Sequence, residues 1–374
     1  MASRDWMEAP QVSILTPAFN AATTLPETLA SVQRQTFTEF EVIVVDDGSS
    51  DNTAAIVEQF GARDPRFRLI RQKNAGVAAA RNTGLGASRA PFIAPLDADD
   101  VWHPEKLMRQ MHRFSDTTSK TVLVYSWSVD IDDTSKITDR RLDLDRFEGN
   151  VYAALVLANF VGNSSVPLMR RDALMSIGGW DATLQAQKAQ GCEDWRAYLR
   201  LAEIGDFVLA PGFLTGYRQT AGAMSRQIGA MARSHRLVLA EARVRHPNLP
   251  RALFRWSLAA FDFYHFELLC GMGMRSASLL SLASCILRDP TWLTRPSTRR
   301  KLKAWARSWL VRVGVKRKDT RPPPYPIGIP FCAADPEPVA TCSEGRLADL
   351  RRAYVARLAI AREWASRENA DASI

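Results

Sequence analysis

The chain has 374 residues, 46% of them apolar and 24% charged, with a net charge of +9. That length admits one large domain or a domain with an appendage, and the composition is that of an ordinary globular protein, not a disordered or fibrous one. The positive charge is concentrated in residues 295–321, where eleven Lys/Arg face the single acid Asp319, so the rest of the chain is close to neutral. No nucleic-acid-binding motif accompanies this basic segment, and no nucleic-acid partner is expected.

The apolar run from Val12 to Phe19 predicts a buried strand. A helix follows, with Thr24 and Glu27 at capping-box spacing and Pro26 in the first turn. Phe40 to Val45 predicts a second strand ending in Asp46-Asp47-Gly48-Ser49-Ser50, after which Asp51-Asn52-Thr53 starts a helix. Phe67 to Ile70 is a third strand and Gly76 to Ser88 a helix with small residues for close packing. Phe92 to Leu96 is a fourth strand, Pro104 opens the next helix, and Val122 to Val129 is a fifth strand. Asn163 to Met169 reads as a further strand, Arg171 to Ile177 as a short helix, and Glu193 to Ile204 as a longer one. Such alternation with continuous apolar strands implies an α/β fold with a mostly parallel sheet flanked by helices. Ligands of such sheets bind beyond the carboxyl ends of the strands. Beyond residue 225 helical periodicity dominates.

Two acidic clusters fall at predicted strand ends. Asp97, Asp99 and Asp100 occupy four positions directly after an apolar strand, where carboxylates repel one another and are costly to bury without partners. Asp97 and Asp99 are hard oxygen ligands suited to Mg²⁺ or Mn²⁺, which take one or two carboxylates together with substrate phosphates. An acidic turn with a helix cap is the plain alternative. Asp46-Asp47-Gly48 offers a carboxylate for a base or ribose beside a glycine that lets backbone approach a ligand. A third acidic pair, Glu193-Asp194, opens a helix, where the dipole alone can account for it; the functional reading is a general base.

Together, in this order, these segments resemble the family 2 glycosyltransferases, which have the GT-A (Rossmann-like) fold. The resemblance rests on "VSILTPAFNAATTLPETLASVQRQTFTEFEVIVVDDGSSDNT" at 12–53, "NAGVAAARNTGLGASRAPFIAPLDADDVWHPEKL" at 74–107 and "CEDWRAYLRLAEIGDF" at 192–207, with "GYRQTAGAMS" at 216–225 as a closing segment. It implies an inverting, metal-dependent transfer of a single sugar from a nucleotide-diphosphate sugar, a UDP-sugar favoured, to a hydroxyl of a glycan or lipid-linked acceptor. By the same resemblance Thr16, Pro17 and Phe19 line the nucleobase pocket and Asp47 binds the base. Arg81 reaches toward the donor nucleotide, Asp97 touches ribose, and Asp99 ligates Mn²⁺ or Mg²⁺ on the diphosphate. Asp194 is then the catalytic base, with Trp180, Glu193 and Arg218 as further substrate-binding positions. Asp100 receives no role beyond orienting the loop or capping the helix at Pro104. The alternative is a non-catalytic nucleotide-sugar-binding or scaffold protein on the same fold. Q-x-x-R-W, usual in processive synthases of the family, is absent, which favours single-sugar transfer.

The expected organisation is a catalytic domain at 1–225, a basic helical extension at 226–319, a Pro-rich linker at 320–343 and a C-terminal helix at 344–374. Five cysteines with no C-x-x-C argue for a reducing compartment, and no secretory leader is read at the N-terminus. Leu268 to Leu287 reaches spanning length but carries Arg275 and small polar residues, which argues against a membrane helix. Near helical spacing, Leu302, Trp305, Trp309 and Val313 alternate with Lys301, Lys303, Arg307 and Arg312, a pattern that suits an anionic membrane surface. The expected location is therefore cytoplasmic, peripheral on the inner face of the membrane if 295–321 binds there.

Overall fold

β1 (Val12–Ala18) and β2 (Phe40–Asp46) are buried at every position, as continuous apolar runs in a doubly covered sheet must be. They pair in parallel, Val12 opposite Phe40. In the computed structural model, residues 9–139, 146–219 and 227–295 are described, with 298–299, 302–303, 330–333 and 357. α1 (Leu25–Gln33), α2 (Thr53–Arg63) and α3 (Val77–Ala87) alternate with β3 (Phe67–Arg71) and β4 (Phe92–Pro95). β3, β2, β1 and β4 lie side by side, all parallel. Val12, Ile14, Leu29, Val42 and Val44 form the centre of the core that joins strands to helices.

The second half of the sheet is mixed. β5 (Val101–Trp102) precedes α4 (Lys106–Ser115), β6 (Thr121–Ile131) and β7 (Ile137–Asp139). Further on come α5 (Tyr152–Leu157), β8 (Leu168–Arg170), α6 (Arg171–Ser176), α7 (Thr183–Ala186), α8 (Glu193–Ala202) and β9 (Asp206–Arg218). β8 inserts between β4 and β6, antiparallel to both, while β9 runs parallel to β6 and carries β5 antiparallel at the sheet's end. The strand expected from Asn163 shortens to Leu168–Arg170. Residues 163–165 form a turn instead, with the Asn163 side chain accepting from the Ser165 N–H at 3.0 Å.

α9 (Ile228–Arg245), α10 (Arg251–Gly271) and α11 (Arg275–Arg288) are helical, as periodicity predicted. The described residues divide into two units. One holds residues up to 151, 159–219 and 330–333; the other holds 152–158, the helices from 228 onward and Arg357. In the second unit Phe263, Phe266, Leu282 and Trp292 make a separate core, with Phe263 stacked on Trp292 at 4.4 Å. No described helix is long and apolar enough to cross a membrane.

Pro330–Ala333, inside the segment read as a linker, packs on the first unit, and Phe331 is buried because a large apolar side chain finds a site there. Arg295, the first residue of the basic segment, is buried and lies 3.8 Å from Asp289, which also accepts from Arg357 at 2.6 Å. The remainder of the basic segment, apart from 298–299 and 302–303, and the 344–374 helix, apart from Arg357, lie outside the described residues.

Candidate active site

The acidic loop leaves β4 with the Leu96 N–H donating to Leu15 O at 2.9 Å, and turns so that the Asp100 N–H donates to Asp97 O at 3.1 Å. It is held from behind by side chains far away in sequence. Thr24 and Thr28 both donate to Ala98 O, at 2.8 and 3.1 Å. The capping box expected of Thr24 and Glu27 does not form: Thr24 makes no side-chain cap, and Glu27 accepts from Arg218 at 2.7 Å and from Ser135 at 2.5 Å. Both residues satisfy the loop and its supports in place of the helix end.

Asp100 is the buried anchor of this loop. Its carboxylate accepts from Ser165 Oγ at 2.6 Å and from the Arg218 N–H at 3.0 Å. Burial, and the charges of Asp99 and Asp97, push its pKa well above the ordinary range despite those two donors. Ser165 Oγ also accepts from the Asp97 N–H at 2.9 Å. Arg218 donates from Nε to Asp99 O at 2.7 Å, from Nη1 to Asp132 O at 2.7 Å, and from Nη2 to Glu27 and Ser135. Its side chain is buried with its nitrogens already engaged. Arg218, expected among the substrate-binding positions, braces the loop through these bonds.

On the open side of the loop, Arg81 from α3 donates from Nη2 to Asp97 Oδ1 and to Ser164 Oγ, both at 2.5 Å. Ser164 donates in turn to Asp97 Oδ2 at 2.7 Å. Burial opposes the charge on Arg81, but Asp97 foremost, then Asp194 and Glu193, hold it protonated. One guanidinium thus pairs with the strand-end loop and is also stabilised by the charges at the start of α8. The next residue, Asn82, clasps the Trp180 backbone, donating to its carbonyl at 2.7 Å and accepting from its N–H at 2.9 Å. The Trp180 ring stands 5.9 Å from the Arg81 guanidinium carbon. Among the described residues, Arg81 Nε and Trp180 Nε1 are buried without a hydrogen-bond partner, a cost that a bound ligand or water relieves.

At the start of α8, Glu193 accepts from the Gly191 N–H at 2.7 Å and Asp194 from the Trp195 N–H at 2.6 Å. Burial raises the Asp194 pKa to about 7; Arg81 and the Trp195 N–H oppose this, and Glu193 and Asp97 add to it. Glu193 is raised as well, chiefly by burial. A carboxylate poised near neutrality is the property a general base needs.

The expected nucleobase side lies at the ends of β1 and β2. Phe19 is 53% exposed, whereas Thr16 and Pro17 are buried. Asp47 is occupied: Oδ1 accepts from Gln72 at 2.7 Å and the Ala75 N–H at 2.9 Å, and Oδ2 from the Gly76 N–H at 2.8 Å. It shapes the loop that enters α3, leaving only its remaining lone pairs for a base.

The residues fit a divalent cation that shares its coordination with substrate. No described cluster of three or more His, Cys, Asp or Glu could cage a metal. Asp99, however, has its pKa raised to about 6 by burial and by Asp97, with Arg218 and Arg81 opposing. No other described side chain hydrogen-bonds its carboxylate. A partly buried carboxylate beside a second one offers the oxygen donors that a cation sharing its shell with phosphates takes.

Sequence reading missed Ser164, Ser165 and Asn82. A serine pair in a turn carries no distinguishing signal, and only the insertion of β8 beside β4 brings it to Asp97 and Asp100.

Residues 13–178 match glycosyl transferase family 2. The "Putative glycosyltransferase EpsH" of Bacillus subtilis (strain 168) is 35% identical over 133 residues, 36% of this chain and 38% of that protein. The "UDP-Glc:alpha-D-GlcNAc-diphosphoundecaprenol beta-1,3-glucosyltransferase WfgD" of Escherichia coli is 44% identical over 101 residues, 27% of this chain and 39% of that protein. The chain spans less than half the length of these curated relatives. Among solved structures, S. aureus TarS 1–349 in complex with UDP-GlcNAc is 16% identical, with a TM-score of 0.48 over 76% of this chain and 92% of that one. This family match covers residues 13–178, a little under half of the chain.

Proposed function

We propose that this protein transfers a single sugar, with inversion, from a nucleotide-diphosphate sugar to a hydroxyl of a glycan or lipid-linked acceptor. The observation that carries the reading is Arg81, which pairs with Asp97 of the acidic loop and is held charged also by Asp194 and Glu193 of α8. This supports reading the carboxylates of the acidic loop and of α8 as the donor side and acceptor side of one site.

Asp194 takes the proton of the acceptor hydroxyl. The hydroxyl oxygen attacks the anomeric carbon as the carbon–oxygen bond to phosphate breaks, and the nucleoside diphosphate leaves with that electron pair. A single displacement inverts the centre. Asp99 would hold the divalent cation, which supplies positive charge to the diphosphate when bound. Arg81 holds Asp97 in place for ribose, and exposed Phe19 offers a face for the base to stack on. A UDP-sugar is favoured by the relative whose name specifies UDP-Glc, and a lipid-linked acceptor by the diphosphoundecaprenol in the same name. The basic 295–321 segment suits an anionic membrane carrying such an acceptor.

Calorimetric titration of UDP- and GDP-sugars with and without Mn²⁺, followed by a transfer assay, tests the reading. Cation-dependent binding of one nucleotide class is expected. No binding of any nucleotide sugar would overturn it.

A further inference from the structure

We propose that Phe331, more than a hundred residues beyond the last strand of the sheet, is a positioning residue that sets the Asp99-bearing loop from behind. The contacts form one path within the first unit. Pro330 makes an antiparallel bridge with Lys136, and the Phe331 N–H donates to Ser135 O at 2.9 Å. These bonds hold the turn at 132–135, in which Ser135 adopts a left-handed φ of 59°. That conformation is uncommon for a residue other than glycine and persists only where neighbours impose it. The same turn supplies two acceptors to Arg218, Asp132 O and Ser135 Oγ, and Arg218 donates to Asp99 O and, through its backbone N–H, to Asp100.

A second line of contact is independent of the first. The Phe331 ring lies on Gly216 of β9, where an added Cβ would come within 3.0 Å of it, and edge-on to His103 with ring centroids 6.3 Å apart. Cys332 Sγ stands 3.9 Å from Trp102 O, on the strand that ends the sheet. Strand ends left open need a cover, and residues 330–333 provide one for β5, which directly follows the acidic loop. Gly216 accommodates the ring because it has no side chain to displace it.

The catalytic consequence rests on the transfer reading above; the mechanical one does not. Full-length Phe331→Ala and Phe331→Leu are compared with Val57→Ala, a core truncation in α2. Two quantities are read: amide hydrogen exchange at 97–102 and 215–218, and the Mn²⁺ concentration giving half-maximal UDP binding. Phe331→Ala is expected to speed exchange at those amides about tenfold while β1 to β3 stay protected, since local opening follows local contacts. It should also raise the Mn²⁺ requirement several-fold at unchanged binding capacity, with Phe331→Leu restoring most of both. Val57→Ala should lower stability without either selective change. If Phe331→Ala behaves like Val57→Ala in the exchange measurement, the inference is overturned. If wild type binds no UDP with Mn²⁺, the transfer reading fails while exchange still decides the inference.

Discussion

Arg81 Nη2 stands 2.5 Å from Asp97 Oδ1 and the same distance from Ser164 Oγ, and Ser164 closes the triangle onto Asp97 Oδ2 at 2.7 Å. Both Asp97 oxygens are therefore occupied before a ligand arrives. Arg81→Ala leaves Asp97 without its cation and buries Ser164 against an unneutralised carboxylate. A loss of about 3 kcal/mol in denaturant unfolding is expected, at the low end for buried pairs because Asp97 is partly exposed. Arg81→Lys should recover only part of it, since an ammonium does not reproduce the planar fork. A loss below about 0.5 kcal/mol, the scale of exposed pairs, would show the pair to be dispensable.

Asp194→Asn should lower transfer about 10²–10⁴-fold, the usual worth of a positioned base, while donor binding measured by calorimetry stays near wild type. With its pKa at about 7, Asp194 should make kcat/KM of wild type rise with pH through neutrality, a limb that the Asn variant lacks. The stability effect has the opposite sense. A carboxyl whose folded pKa is raised stabilises the fold at low pH, and that stability is lost as pH rises toward the folded value. Asp194→Asn should therefore gain stability over wild type between about pH 4 and pH 7, and the advantage should hold above neutrality.

Asp99→Asn should remove cation-dependent UDP binding. In wild type, cation affinity should fall as pH drops through about 6, because protons compete for the carboxylate. Asp97→Asn removes a neighbouring charge that raises Asp99, and should shift this fall to lower pH. Mn²⁺ titration followed by electron paramagnetic resonance reads both, and a pH-independent affinity between 5 and 7 would remove Asp99 from the ligand set.

Ser165→Ala should cost about 1–3 kcal/mol, since it leaves the Asp97 N–H unpaired and takes one of two donors from buried Asp100. Thermal and denaturant unfolding read the loss. Cation-dependent UDP binding should weaken with it, because the same hydroxyl fixes both ends of the turn that presents Asp99.

Strands β1 to β4 and helices α1 to α4 were legible because each of these elements declares itself locally. Val12–Ala18 and Phe40–Asp46 are mostly apolar, as central parallel strands tend to be, with Ser13 and Glu41 paired inside at 2.7 Å. Thr24 and Glu27 misled for the same reason. Their spacing satisfies a local rule, while the tertiary structure offers Ala98 O and Arg218 as better partners. β5 and the start of β8 were illegible because two- and three-residue strands are defined by what they pair with, not by their own pattern.

The sequence by itself determined that carboxylates stand at strand ends and at the opening of a helix, since apolar periodicity and turn chemistry place them there. Tertiary structure alone decided what each carboxylate meets. Asp97 meets Arg81 and Ser164, Asp100 meets Ser165 and the Arg218 backbone, and Asp47 is drawn into the 72–76 loop. Those partners are chosen by strand order and register, β8 beside β4 and β9 beside β6, and a hydrogen bond reaches only across the distance that packing sets. Three neighbouring aspartates of one loop thus acquire three different environments, because packing sets a different partner within reach of each.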